Sequence, residues 1–291
     1  MKLLAKFNLI FIVVFGVGWV VAGYLANRFL QDNARAQVEQ QAQLMMETAS
    51  SMRSYTTKQV KPLLQREQIR SNVFLPQTVP AYAATTSFDY LRKTYPDYTY
   101  KEATLNPTNL RDRAEDWEAD IVNNFRNHHD QKMLIGDRET PTGRSLFLAR
   151  PISADPPCLE CHSTAARAPR AMIRLYGSTN GFGWKPNEII GAQIVSVPMS
   201  LPVSIANKAF YTVLIYIGVL SLLTLIIFDL AVVMIVIRPV QKLSATADKV
   251  SKGDLDVPEI PVRGKDEIAD LTASFNRMYL SLVKALRLLE E

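Results

Sequence analysis

Cysteine is nearly absent from this chain. Two of its 291 residues are cysteine and three are histidine, so neither a disulfide framework nor a histidine-rich metal centre is within reach of its side chains. A surplus of one charge is missing too. The formal net charge is +5, yet residues 31–207 hold 20 basic against 18 acidic side chains and residues 238–291 hold nine of each. The excess lies beside the apolar stretches, and no nucleic-acid surface follows from it. Convergent acid, base or nucleophile motifs are also absent, which argues against an enzyme.

What the chain does have is two long runs almost free of charge. Asn8 to Ala26 contains no charged residue, and its 19 residues suffice to cross a bilayer core. Phe210 to Ile237 contains one, Asp229. Hydrocarbon offers no partner for backbone N–H and C=O groups, so both runs are predicted helices. The short basic start, Met1 to Lys6, makes a removable signal peptide the rival reading of the first run. Its apolar core exceeds signal length, however, and Val20-Val21-Ala22 is a weak cleavage site embedded within it. The predicted organisation is a cytoplasmic start (1–7), a first span (8–29), an outer domain (30–207), a second span (210–237) and a cytoplasmic end (238–291). Lys2 and Lys6 before the first span, with Arg238 and Lys242 after the second, place both termini in the cytoplasm. The protein is then a two-pass resident of the inner (plasma) membrane, in contact with lipid, with its middle region in the periplasm. Asp229 lies nine residues before Arg238, about 13 Å along a helix, and is expected near the inner leaflet. There it contacts the first span, contacts a dimer mate, or snorkels to water.

Both cysteines fall in Pro157-Cys158-Leu159-Glu160-Cys161-His162. Cys-x-x-Cys-His is the c-type haem attachment pattern, because two thiols on one short helical turn can add to the two porphyrin vinyl groups while the next imidazole lies beneath the iron. A disulfide between cysteines three apart closes a small strained ring that stabilises little. A zinc site needs a fourth strong ligand when the other histidines are only His128 and His129. A thioredoxin-like pair expects a βαβ context that is lacking. With average composition, an accidental match in a chain this long is roughly a one-in-a-thousand event.

Residues 33–70 lack glycine and hold one proline, Pro62, which predicts a long helix continuing from the first span. Val38, Ala42, Met45, Ala49 and Met52 recur at steps of four and three, the mark of a packing seam. Asp97–Leu105, Lys132–Gly136, Arg144–Ile152 and Ile189–Met199 carry β-branched and aromatic residues and read as strands. Helix first, then several antiparallel strands, predicts an α+β, sensor-like domain.

This region resembles the Tll0287-like family, haem c proteins with a PAS-like sensor domain. The resemblance rests on Met45-Met46-Glu47, Arg53-Ser54-Tyr55-Thr56, Gln59-Val60-Lys61-Pro62, Ala149-Arg150-Pro151-Ile152, the cysteine motif, Gly181-Phe182-Gly183-Trp184 and Ile190-Gly191-Ala192-Gln193. It implies one covalent haem, held by histidine on one face and by a ligand from the first long helix on the other, which senses redox state or a diatomic gas. Cys158, Cys161 and His162 match the attachment motif, and Met46, seven residues before Arg53, matches the distal position. A thioether raises the reduction potential, which suits a redox sensor or electron carrier. Met45, about 100° away on a helix, lies on the apolar stripe and is expected in the core. His128, His129, Met133 and an open site are the alternatives, although the two histidines sit in a polar stretch and read as surface residues. Arg53, Tyr55 and Arg150 are candidates for the haem propionates, since guanidinium matches carboxylate geometry.

Beyond the second span, Val240, Leu243, Ala247 and Val250 step by three, four and three. Gly253 to Pro258 then breaks the helix, and Ile268, Leu271, Phe275, Met278, Leu282, Ala285 and Leu289 form a heptad series. Two short helices with such seams need a partner chain to bury them. The segment resembles a HAMP domain, in which Pro239 begins the first helix, Leu255 and Val262 pin the connector and Asp266-Glu267 opens the second helix; Ala269 stands where that family usually has glycine. It implies a parallel four-helix coiled coil in a homodimer. Two functions therefore compete: a haem sensor that relays inward to a cytoplasmic partner of kinase or cyclase type, and a membrane-tethered c-type cytochrome serving a redox partner. The HAMP-like segment favours the sensor. No output module precedes Glu291, so a separate protein carries the output or the sequence is a piece of a longer chain.

Overall fold

The computed structural model describes the backbone of residues 3–290 and the side chains of residues 4–285 and 287; Lys2, the Leu289 side chain and Glu291 lie outside the described residues. The chain divides into two compact units, Asn27–Ala209 and the remainder.

The first element, α1, runs from Leu3 to Tyr55. A π-helical turn at Thr56–Val60 follows, and α2 continues over Lys61–Ser71. Pro62 explains the widened turn: its ring would collide with the carbonyl four residues earlier in a regular helix, and it has no N–H to donate. The predicted long helix is thus present but interrupted. The same device recurs where α7 (Ser200–Val232) passes through a π turn at Val233–Ile237 into α8 (Arg238–Ser251), two residues before Pro239.

In the unit Asn27–Ala209, α3 (Pro80–Arg92) precedes β1 (Thr99–Thr104), and α4 (Asp116–Asn127) precedes the hairpin of β2 (Leu134–Thr140) and β3 (Gly143–Ser153). Two short helices, α5 (Pro156–His162) and α6 (Arg170–Tyr176), lead to β4 (Ile189–Pro198). The antiparallel sheet has the order β1-β4-β3-β2. Nearly every residue of the central strand β4 is buried, as its apolar run requires. One face of the sheet carries Tyr100, Leu146, Leu148, Val195 and Val197 against Val38, Ala42, Met46 and Ala49 of α1 and Ala84 and Phe88 of α3. The opposite face packs Ala103, Ala149, Ala192 and Ile194 against Ile121, Val122 and Phe125 of α4. This is the α+β architecture expected.

The seam on α1 departs from expectation. Its fully buried positions are Val38, Ala42, Met46 and Ala49, whereas Met45 and Met52 only flank the core. The anticipated series repeats every 3.5 residues, which suits a supercoiled partner helix; the observed one repeats nearer the 3.6 of a helix lying on a sheet.

In the other unit, Asp229 on α7 accepts a 3.2 Å hydrogen bond from the Asn8 amide on α1, so contact with the first apolar helix is the alternative realised. Phe228 packs against Phe7 and Phe11 beside it. Further on, Val250 of α8, Val257 and Ile260 of the connector, and Phe275 and Tyr279 of α9 (Glu267–Glu290) form one buried cluster with Leu255 at its edge. Val262 is half exposed, so Val257 and Ile260, rather than Val262, pin the connector. The clamp is polar as well: Asn276 bonds both the N–H and the carbonyl of Ile260, and the Tyr279 hydroxyl donates toward the carbonyls of Leu255 and Val257.

Candidate functional site

The bend after β3 sets the site. Pro156 and Pro157 open α5, where a missing N–H costs nothing, and the Cys158 N–H bonds the Asp155 carbonyl at 2.9 Å. Cys158 and Cys161 are three residues apart and so share a helix face. Both are free and half-buried. Burial pushes both thiols above the usual cysteine range, the opposite of what a thioredoxin-like nucleophile needs. Among the described residues, no group of three or more histidine, cysteine, aspartate or glutamate side chains is arranged to hold a metal ion.

His162 ends α5 and is fixed from three sides. Its Nδ1 lies 2.7 Å from the Gly181 carbonyl and 3.3 Å from the Thr108 hydroxyl. A carbonyl can only accept, so Nδ1 carries the proton and the lone pair resides on Nε2. Burial lowers the pKa of His162 and favours this neutral form. Trp184 stacks on the ring at 4.0 Å and 13°. The segment providing these contacts is itself tied back, with the N–H groups of Gly183 and Trp184 bonded to the carbonyls of Ser163 and His162. Gly181 has φ +83°, and a Cβ there would lie 2.8 Å from the Thr108 backbone nitrogen, so only glycine fits. Its N–H bonds the Asn106 side chain at 3.1 Å.

The sheet contributes a polar rung. Glu102, Gln193 and Arg150 are paired across β1, β4 and β3, on the face covered by α1 and one step beyond the apolar rung Tyr100, Val195 and Leu148. Glu102 is 5% exposed, pairs with Arg53 of α1 and accepts from the Tyr100 hydroxyl at 2.8 Å. Burial alone would lower the Arg53 pKa, but Glu102 outweighs it and holds Arg53 firmly cationic. Burial, then the adjacent carboxylate, drives the Tyr100 phenol far above its ordinary range. Arg53 also lines a cavity of about 360 Å³ with Ser50, Ser54, Lys58 and Gln193. The charges of Arg53 and Lys61 both bear on the Cys158 thiol, which puts this end of α1 and the start of α2 beside the cysteine turn.

Met46 has no exposed surface and packs in the apolar cluster between α1 and the sheet. Arg53 pairs with Glu102, and Arg150 with Glu47. Tyr55 lines a separate cavity of about 540 Å³ with Met52, Thr56, Val60, Tyr82 and Thr86. His128 and His129 lie on the surface, His128 against the Asn124 carbonyl, and Met133 is 38% exposed. Glu102, Thr108 and Asn106 were not anticipated. A glutamate at an inward position of Thr-Tyr-Lys-Glu-Ala-Thr was the available signal for the first; the other two lie in a loop that carries none.

The fit to a c-type haem can be judged on the donor set. Two unoxidised thiols share a face, and the adjacent imidazole keeps Nε2 without a hydrogen-bond partner among the described residues. That is the set such attachment needs.

No curated protein matches the chain. Among solved structures, the cyanobacterial heme-protein Tll0287 aligns at 15% identity with a TM-score of 0.41, over 53% of this chain and 91% of that one. Residues 231–284 match the HAMP domain, and residues 31–198, more than half of the chain, match the Tll0287-like family. The chain therefore belongs to the Tll0287-like family and carries a HAMP domain behind its sensor region.

Proposed function

We propose that this protein is a membrane-anchored c-type haem sensor that relays a redox or diatomic-gas event to the cytoplasm. The observation carrying the reading is the pairing of Cys158 and Cys161 with an imidazole whose Nδ1 is committed to Gly181. When bound, the iron supplies a centre that exchanges an electron or accepts a diatomic ligand. Cys158 and Cys161 anchor one porphyrin through two thioethers, and His162 presents Nε2 to the metal. Trp184 and Gly181 hold the ring against rotation, as groups behind a ligating histidine do. Lys58 and Lys61 supply positive charge on the side of α1 and α2.

The spans (8–29 and 210–237) carry the outer domain (30–207) on the periplasmic face of the inner membrane and leave both termini in the cytoplasm. Residues 238–291 then pass the event to a separate partner. Such coupling requires two states that the haem event biases differently. The two π turns ahead of Pro62 and Pro239 are suitable elements, because such turns within helices recur at functional sites.

The test is co-expression of the full chain with a cytochrome c maturation system, followed by peroxidase staining of a denaturing gel. Haem-linked stain is expected in the wild type and not in C158A/C161A; an unstained wild type sinks the proposal. Spectra of the ferrous protein with and without CO or NO then separate gas from redox sensing. Recovery of a haem-dependent cytoplasmic partner from native membranes tests the relay.

A further inference from the structure

We infer that the buried pair Arg53–Glu102 sets the reduction potential of the haem centre, a role that rests on the haem reading above.

Glu102 occupies an inward position of β1 under α1. Burying a carboxylate is costly and is tolerated only when charge and hydrogen bonds satisfy it, and an apolar substitute of similar volume often serves stability as well or better. The neighbouring rung of the same face is filled by Tyr100, Val195 and Leu148, so apolar filling is available to this fold. The ion pair stands instead on the rung one step nearer the end of β3, from which the cysteine turn departs. Stability does not account for that placement.

Electrostatics does. Beyond Glu102, β1 leads to Asn106 and Thr108, which hold Gly181 and the His162 ring, so the pair lies at the end of the sheet that faces the cysteine turn; of its two members, Arg53 is the one whose charge bears on Cys158, the thiol that would carry the porphyrin. Arg53 also faces the cavity beside Lys58 and Gln193. Ferric haem carries one more positive charge than ferrous haem. A nearby cation therefore favours the reduced state and a nearby anion the oxidised state, with more effect in a low-dielectric interior than in water. Glu102 neutralises Arg53 and, with the Tyr100 hydroxyl on its other oxygen, fixes the guanidinium in place. The two residues thus act as a fixed pair of opposite charges at this end of the sheet.

The experiment is redox titration of the haem-loaded, full-length protein in detergent. E102Q leaves Arg53 uncompensated, and its midpoint should rise above wild type. R53Q leaves the carboxylate uncompensated, and its midpoint should fall. Shifts in opposite directions support the inference; two unmoved midpoints, or two shifts in the same direction, overturn it. Where a single variant does not fold, R53Q/E102Q leaves no buried orphan charge and carries the test alone. With the nearer cation gone its midpoint should lie below wild type, and equality overturns the inference. Peroxidase staining of the same samples keeps the two readings apart: absent stain in the wild type removes the haem, whereas stained protein with an indifferent midpoint removes only this role.

Discussion

Gly181 and Gly183 share a backbone conformation, φ +83°, but not their surroundings. A Cβ on Gly181 would meet Thr108, while one on Gly183 would meet nothing within 4 Å. Each alanine substitution incurs backbone strain of about 1–3 kcal/mol, but only Gly181→Ala also displaces the carbonyl that orients His162. Melting of the solubilised protein should show a larger loss for Gly181→Ala than for Gly183→Ala. Only the former should alter the haem absorption spectrum, and equal spectra would remove Gly181 from the ligand's support. Asp112 offers a second residue-scale test. Burial, working against Arg111, raises its pKa to about 6. Between about pH 4 and pH 6 the folded state then holds a proton that the unfolded state has released. The contribution is present in acid and is lost as pH rises through that window, on the order of 1–2 kcal/mol after allowance for partial exposure. The melting difference between wild type and Asp112→Asn should change sign or slope across pH 4–6; a parallel profile counts against the buried carboxyl. The comparison must be with the variant, since His162 in haem-free protein destabilises the fold in the opposite direction as pH falls.

Helix α1 decides how much of this protein could be read from residue order. A 3.5-residue count and a 3.6-residue count along it agree at Val38, Ala42 and Ala49 and diverge at the third position of the seam, where one selects Met45 and the other Met46. Sequence periodicity cannot separate them; the flat support of the β-sheet does. Met46→Ala should accordingly cost about 2–5 kcal/mol, as cavity-forming substitutions do, and leave the ferrous spectrum unchanged, with Met45→Ala costing less. Conversion of the ferrous spectrum to high spin in Met46→Ala would restore it as an iron ligand. The strands were legible because β-branched runs between turn formers are local signals, and the cysteine turn because its spacing is itself the chemistry. Glu102 beneath Arg53, and Thr108 behind His162, were not. Each partnership joins residues about fifty positions apart, the first set by how α1 lies on the sheet and the second by a loop folding back on α5, and no short window encodes either.

At the scale of the whole molecule, α9 carries two faces with different tasks. Phe275, Asn276 and Tyr279 turn toward the connector and close the cluster within one protomer. Leu271, Met278 and Leu282, at steps of seven and four, remain exposed in the single chain. An apolar row at coiled-coil spacing, left open after the protomer has buried its own cluster, is what a parallel partner helix would cover. Adjacent residues should therefore give opposite phenotypes. Met278→Asp should abolish chemical cross-linking between copies of the full-length chain in detergent while the connector cluster stays folded, because the residue is 61% exposed in the single chain and lies outside that cluster. Tyr279→Phe should keep the cross-link but lose its hydrogen bonds to the Leu255 and Val257 carbonyls, at about 1–3 kcal/mol, seen as faster hydrogen exchange in the connector. Wild-type cross-linking in Met278→Asp would mean that the exposed row is not the dimer seam, and the two-chain coiled coil would have to be built from another face of α9.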